Sequence, residues 1–126
     1  MISQDFMSHK NLDAWQKAMD MAELIYKVTE SLPKEEQFGL ISQMRRSVVS
    51  IPSNIAEGAT RQSNKEYIQF LYISLGSASE LETLILLCNR LGFMPNDQAN
   101  KLIPKIENII KVISGLIRYR KKFTPR

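Results

Sequence analysis

The chain has 126 residues and a mass of 14.5 kDa, enough for one domain around one buried core. Hydrophobic residues make up 44% and charged residues 24%, which is ordinary for a globular protein and excludes a disordered chain. The formal net charge of +4 is concentrated at one end, because residues 118–126 carry five basic and no acidic side chains. Positions 1–117 then hold 12 basic and 13 acidic residues.

The sequence predicts a cytoplasmic protein without membrane contact. Its longest uninterrupted aliphatic run, residues 84–88, is far too short to cross a hydrocarbon core of about 30 Å. The N-terminal residues lack the apolar centre of a secretory signal. The lone cysteine, Cys88, cannot form an intramolecular disulfide, which fits a reducing compartment, and its apolar neighbours predict a core residue.

The first predicted helix runs from about Asn11 to Leu32 and ends before Pro33, since proline disfavours helical geometry in the residue before it. Its apolar residues recur at steps of three and four, the spacing of a buried helix face. The predicted stripe consists of Leu12, Trp15, Met19, Ala22, Tyr26 and Thr29, widened by Leu24, Ile25 and Val28. Trp15 and Tyr26 are therefore predicted to be core or interface aromatics.

The second predicted helix lies between about Lys34 and Thr60. Its predicted stripe is Ile41, Met44, Val48, Ile51 and Ile55. Pro52 removes a backbone donor and pushes against the carbonyl four residues earlier, so we expect a kink there. Gly58 near the end would suit a left-handed cap.

The third predicted helix opens with Ser63 and Glu66 in the spacing of a capping box and stops at Gly92. Its predicted stripe is Tyr67, Leu71, Ser74, Ala78, Leu81, Ile85 and Cys88. Small residues at 74–79 predict the close approach of another helix, which would compensate for the helix propensity lost at Gly76.

The fourth predicted helix begins with Asn96 or Asp97 as N-cap after Pro95, and should bend at Pro104. Its predicted stripe is Ala99, Leu102, Ile106, Ile109, Ile113 and Leu116, and the helix is expected to continue into the basic tail. Four helices joined by short turns predict an all-α, antiparallel, up-down-up-down four-helix bundle. We divide the chain into a flexible N-terminus (1–10), the bundle (11–117) and the basic tail (118–126).

The sequence contains no legible active site. A zinc site needs about four Cys or His ligands, whereas this chain offers His9 and Cys88. Di-iron bundles use Glu-x-x-His pairs, and a Ser or Cys nucleophile would have to pair with His9. Glu80 and Glu82 are two residues apart and point to different helix faces. We therefore predict no catalytic residue, no metal and no cofactor.

Polar residues, a proline and a glycine interrupt the apolar pattern of the second predicted helix. They are Gln43, Arg45, Arg46, Ser47, Ser50, Pro52, Ser53, Asn54, Glu57, Gly58 and Arg61. The serine hydroxyls and Asn54 are predicted to satisfy carbonyls that the proline releases.

This pattern resembles a bacterial family of four-helix-bundle proteins, also called S23 or 23S rRNA intervening-sequence proteins. The resemblance covers about residues 6–95, while the fourth segment matches in type alone. The matching elements are Leu12-x-x-Trp15, Phe38-Gly39-Leu40, Gln43-x-Arg45-Arg46, Ser50-x-Pro52-x-Asn54-Ile55-Ala56-Glu57-Gly58 and Gly76-Ser77-x-x-Glu80-Leu81.

The resemblance implies a homopentamer of bundles. It also implies kinship to the accessory variability protein of diversity-generating retroelements, a basic pentameric barrel associated with reverse transcriptase and nucleic acid. For most of the family no biochemical function is established.

Two interpretations of the motif stay open. Ser50, Pro52, Asn54, Glu57 and Gly58 form either a polar network at a kinked helix and subunit contact, or a ligand or nucleic-acid site. Gly76, Ser77 and Glu80 complete the structural motif. Arg45, Arg46, Arg61 and Glu80 could form ion pairs within or between subunits or, for the arginines, bind phosphate.

The basic tail favours nucleic-acid binding. Arg118, Arg120, Lys121 and Lys122 flank Tyr119 and Phe123, which could stack on bases. The alternative is a solvated helix end whose cations suit the helix dipole. The favoured hypothesis is a non-enzymatic homo-oligomer that binds RNA or DNA through phosphates. The rivals are a protein–protein scaffold and a bundle with a small-molecule cavity near Pro52.

Overall fold

The computed structural model describes residues 9 and 12–123, and its helices form a four-helix bundle. These are α1 (Asp13–Thr29), α2 (Ser42–Ala59), α3 (Asn64–Arg90) and α4 (Asn96–Lys121). Each helix packs against the next along the chain, and α1 also contacts α4. No strand occurs among the described residues. The predicted all-α bundle is confirmed, although α1 and α2, at 17 and 18 residues, are shorter than the expected 20 or more.

The predicted stripes of α2 and α3 are correct, because all of their members are buried. In α4 five of the six predicted residues are buried, and Ile117 replaces Leu116, which is half-buried. Cys88 is fully buried, as predicted, and burial raises the pKa of its thiol, with the charge of Glu36 acting in the same direction. The core is therefore a continuous aliphatic seam along three long helix faces.

The predicted stripe of α1 is correct for Ile25, Val28 and Thr29, which are buried, but wrong for other members. Met19 and Tyr26 are exposed, and Trp15 is half-buried, whereas the buried face consists of Ala14, Ala18, Met21, Ile25, Val28 and Thr29. Apolar residues cover more than half of the circumference of this helix, so spacing alone did not fix which side faces the core. Ala14 and Ala18, at the start of this buried face, are small enough for the other helices to approach closely.

The segment before α2 is not α-helical. A 3₁₀ turn at Lys34–Glu36 and a π-helical turn at Gln37–Ile41 occupy the predicted start of the second helix. Gly39 departs from helical geometry, with φ −107° and ψ −107°. Leu40 and Ile41 remain buried, but Phe38 is 91% exposed. This turn therefore places an aromatic ring in solvent beside α2.

Gly92, Gly58 and Gly76 have different structural roles. Gly92 has φ +84° and ends α3, as predicted. Gly58 is not the predicted left-handed cap: it is buried within α2, and a Cβ there would come within 2.9 Å of both Phe70 and Tyr67. Gly76 is exposed, and a Cβ there would meet nothing within 4 Å. The hydrogen bonds between α2 and the serines at 74 and 77 confirm the close approach that the small residues at 74–79 predict, and Gly58 allows a second one.

The helix ends mostly follow the sequence. The Ser63 hydroxyl accepts from the Glu66 amide at 3.1 Å, which confirms Ser63 as the N-cap, while the reciprocal bond to the Glu66 side chain stays a prediction. The predicted N-cap of α4 is wrong by one position, because Pro95 precedes the first helical residue, Asn96. Both α2 and α4 continue as single helices through Pro52 and Pro104, so the bends stay predictions. The predicted flexible N-terminus lies outside the described residues except for His9.

Candidate functional site

The topology gathers basic residues at one end of the bundle. The C-terminal ends of α2 and α4 meet the N-terminal end of α3 there, since neighbouring helices are antiparallel. Residues 57–72 and 118–123 together contain six basic and two acidic side chains. We call this surface the basic end; its cations are Arg61, Lys65, Arg118, Arg120, Lys121 and Lys122.

Arg120 anchors the basic end to α3. Its Nε donates to the Asn64 side-chain oxygen at 2.9 Å, and the Asn64 amide donates to the Arg120 carbonyl at 2.7 Å. The guanidinium also lies 4.6 Å from the centre of the Tyr67 ring. Burial raises the pKa of the Tyr67 phenol, although the charge of Arg120 acts in the opposite direction. The start of the basic tail is thus the last turn of α4.

Aromatic rings hold two more cations in place. Arg61 pairs with Glu57 and lies 4.7 Å from the Phe70 ring centre, while Lys121 lies 5.3 Å from that of Tyr72. Cation–π contacts of this kind contribute about 0.5–1 kcal/mol at exposed sites. Sequence reasoning missed the three aromatic partners on α3: Tyr67 and Tyr72 lie about fifty residues from their cations in the tail, and Phe70 lies nine residues from Arg61.

Other groups at the basic end remain available. Arg118 and Lys122 are exposed and form no hydrogen bond or ion pair with the described residues. Tyr119 and Phe123 are about half exposed and meet edge to face at 5.1 Å. The surface therefore offers both unpaired cations and aromatic edges to a ligand.

Arg45 and Arg46 lie far from the basic end. Sixteen residues separate Arg45 from Arg61, about 24 Å at the helical rise. Arg45 braces the last turn of α1: its Nε donates to the Thr29 hydroxyl at 2.9 Å and its Nη2 to the Tyr26 carbonyl at 3.3 Å. The predicted set of nucleic-acid-binding residues is thus divided between two ends of one subunit.

The polar motif forms a network between α2 and α3. Ser50 and Ser77 share a hydrogen bond of 2.7 Å, and the Asn54 amide donates to the Ser50 carbonyl at 2.8 Å and hydroxyl at 2.9 Å. Ser74 donates to the Ile51 carbonyl at 2.8 Å. The bonded carbonyls are those of Ser50 and Ile51, whereas Pro52 releases the carbonyl of Val48, so satisfaction of the released carbonyl stays a prediction.

A groove of about 1050 Å³ lies on the same side of α2. Its walls come from the end of α1, the turn before α2, and the facing sides of α2 and α3. It brings several motif residues together, including Phe38, Gln43, Arg45, Arg46, Ser50, Ser77 and Glu80. Glu57, by contrast, pairs with Arg61 at the basic end.

Between residues 72 and 87 the exposed face of α3 is mostly apolar or small. The exposed residues there are Tyr72, Ile73, Gly76, Ser79, Glu80, Thr83, Leu86 and Leu87, and the exposed side chains nearer both ends of the helix are polar or charged. By length and composition α3 also resembles a membrane-spanning helix, a resemblance that core helices of soluble proteins share. Here α3 packs against two neighbours and carries Glu80 and Glu82 at its middle. This arrangement fits a soluble bundle with one uncovered face.

A sequence profile described as "23S rRNA-intervening sequence protein" matches residues 10–115. The chain belongs to this family. A solved structure from Bacteroides thetaiotaomicron, a protein with unknown function from the S23 ribosomal protein family, is 27% identical. The match covers 83% of this chain and 95% of that one, with a TM-score of 0.78. No curated protein matches the sequence.

The family match confirms the resemblance and extends it. It continues beyond the motif-bearing region into α4, as far as Gly115, so α4 is part of the family's fold. Residues 118–123 lie outside the matched range. Among the residues that the structure describes, no group of three or more His, Cys, Asp or Glu side chains could hold a metal ion.

Proposed function

We propose that the protein is a non-enzymatic homo-oligomer that binds RNA or DNA through phosphate contacts at the basic end. One observation carries the proposal. The basic end has six basic and two acidic side chains, and Arg118 and Lys122 form no ion pair with the described residues. Contacts of this kind release counterions, so affinity falls steeply with salt and depends weakly on sequence.

The aromatic residues of the basic end support binding to single strands. Tyr119 is 53% exposed and Phe123 is 58% exposed, and both stand beside free cations. Bases of unpaired nucleotides can stack on such rings at about 1–3 kcal/mol per base, whatever the base. The faces of paired bases are stacked inside a duplex, so a duplex would gain no affinity from these aromatic rings.

Self-assembly would multiply the charge. The apolar face of α3 lacks a partner within the subunit, and burial of such a face is the usual driving force for association. Cyclic symmetry places equivalent ends on one side of a ring. The homopentamer that the family resemblance implies would therefore gather five basic ends at one rim, where the local field rises with each copy.

Point variants test this proposal better than truncation, because residues 118–121 belong to α4. We expect the double variant Arg118→Gln, Lys122→Gln to bind labelled single-stranded RNA more weakly. Its plot of log affinity against log salt should flatten by about 1.4, which is two phosphate contacts at about 0.7 each. The matched control is Lys101→Gln, Lys111→Gln, which removes the same charge from exposed positions elsewhere on α4. Equal affinities and slopes for the two variants would contradict the proposal.

The apolar face of α3 also favours a second function, a scaffold that binds another protein. This alternative predicts that a tagged chain retains a partner from nuclease-treated lysate, and that Leu87→Asp abolishes the capture. Loss of every partner after nuclease treatment would favour the nucleic-acid proposal instead.

A further inference from the structure

The groove beside α2 carries a positive charge without a carboxylate partner. The Arg45 guanidinium rests on neutral groups: the Thr29 hydroxyl, the Tyr26 carbonyl and, at 4.6 Å, the Tyr26 ring. Neither Arg45 nor Arg46 forms an ion pair with any described residue. Arg45 is half-buried and fixed in position, so its remaining N–H groups are preorganised for an external acceptor.

The serine pair adds a hydroxyl donor to the same groove. Ser50 and Ser77 both line it, and their oxygens are 2.7 Å apart. One of the two hydroxyl hydrogens forms this bond, and the Asn54 amide donates to the Ser50 oxygen. The hydrogen of the other hydroxyl therefore has no acceptor among the described residues, whichever serine donates. Ser50 and Ser77 are half-buried, so this hydrogen faces the groove, where a ligand oxygen can replace water as its acceptor.

Glu80 stands opposite Arg46 without pairing with it. The bonds from Ser50 to Ser77 and from Ser74 to Ile51 fix the register of the two antiparallel helices. That register places Arg46 and Glu80 at one level, and both line the groove, yet they form no ion pair. A ligand that spans the groove would meet cations on one wall and an acceptor on the other.

Phe38 supplies an apolar surface at the rim. Its ring is 91% exposed, so both of its faces are open to another molecule. Val49, also on the groove wall, is 43% exposed. A flat apolar group could lie against these two side chains.

We propose that this groove binds a small organic anion with a planar body, of the mononucleotide class. The phosphate lies against Arg45, Arg46 and the free serine hydroxyl. The planar base lies against Phe38, with an exocyclic amine donating to Glu80. The volume of about 1050 Å³ accommodates such a molecule. The site is separate from the basic end, so it does not depend on the binding of RNA or DNA there.

The test is a titration of the ¹⁵N-labelled protein with guanosine monophosphate, followed by NMR. We expect saturable shifts at the amides of Arg46, Ser50 and Ser77. Guanosine without phosphate should bind at least about tenfold more weakly, and Arg46→Gln should cost about tenfold, the worth of a charged hydrogen bond. Both Arg46 and Phe38 are exposed, so Arg46→Gln and Phe38→Ala should fold normally.

Controls separate the groove from the basic end. Arg118→Gln should leave the nucleotide affinity unchanged. Shifts confined to residues 61–72 and 118–123, an absence of saturation, or an unchanged affinity in Arg46→Gln would each overturn the proposal. Inorganic phosphate that binds as tightly as the nucleotide, together with a silent Phe38→Ala, would contradict the role of the planar body.

Discussion

Gly58 decides how closely α2 approaches α3. A Cβ at this position would lie 2.8 Å from the Phe70 Cβ and 3.2 Å from the Tyr67 carbonyl oxygen, atoms that cannot swing away. Gly58→Ala should therefore destabilise the fold by about 1–3 kcal/mol despite the better helix propensity of alanine. Urea unfolding measures the change.

Gly115 provides the matched control, because a Cβ there would meet the Arg118 side chain at an ordinary 3.7 Å. Gly115→Ala should raise the free energy of unfolding by about 0.5–1 kcal/mol. A Gly58→Ala protein as stable as the parent would contradict the close approach.

Glu82 makes stability depend on pH. Burial raises the pKa of its carboxyl, and the charge of Glu107 and the hydrogen bond between the two raise it further. The folded protein thus holds this proton more tightly than the unfolded chain does. Its contribution to stability is fully present below the ordinary pKa of 4.5 and is lost as pH rises through the folded value.

Glu82→Gln removes this repulsion. The variant should be more stable than the parent at pH 7, by less than about 1 kcal/mol because the pair is largely solvated. The difference should shrink below pH 4.5, as urea titrations at several pH values would reveal. Glu107→Gln should behave in the same way, and a difference that grows on acidification would contradict the assignment.

At the scale of elements, adjacent arginines have opposite roles. Arg45 holds the last turn of α1 through Thr29 and Tyr26, whereas Arg46 is exposed and forms no bond with the described residues. Arg45→Ala should cost about 1.5–3 kcal/mol, typical of hydrogen bonds to a charged group. Arg46→Ala should stay within about 0.5 kcal/mol.

Amide hydrogen exchange checks where the loss occurs. In Arg45→Ala the amides of residues 26–32 should exchange faster than in the parent, while the middle of α3 stays protected. Equal unfolding energies for Arg45→Ala and Arg46→Ala would show that the brace contributes nothing.

Periodicity predicted the helices because the buried residues of α2, α3 and α4 recur at steps of three and four. In α1 it predicted the buried Ile25 and Val28 but also the exposed Met19 and Tyr26, because apolar residues on adjoining faces fit the same spacing and packing partners chose the buried side. The turn at Gln37–Ile41 was also beyond reach, since a π-helical turn depends on tertiary contacts.

The sequence likewise predicted some features of the candidate sites and not others. Residue type predicted a basic cluster in the tail and a polar network around Ser50. Pairings across the bundle, such as Arg120 with Asn64 and Tyr67, depend on the antiparallel register of α3 and α4, which a single sequence does not specify. The length of α2, by contrast, separates Arg45 from Arg61, two residues that were predicted as one set.

At the scale of the whole molecule, the uncovered face of α3 is the feature that most needs a partner. Between Gln69 and Leu87 this face carries one charged residue, Glu80, among Tyr72, Ile73 and other apolar or small side chains. Gly76 lies at its centre with nothing near it, so another backbone can approach closely there. In a lone subunit, Gly76→Ala should stabilise α3 by about 0.5–1 kcal/mol.

If the subunits assemble through this face, the alanine methyl group of Gly76→Ala should instead weaken association. Ile73→Asp should abolish association, because it would bury an unpaired charge in the interface. Light scattering coupled to size-exclusion chromatography would report the mass at several concentrations. The parent should elute as a multimer and Ile73→Asp as a folded monomer of 14.5 kDa with its helical circular dichroism retained. The control is Lys111→Asp, an exposed site on α4, which should leave the multimer intact. A monomeric parent at all concentrations would remove the proposed assembly but not the basic end, whose contacts lie within one subunit.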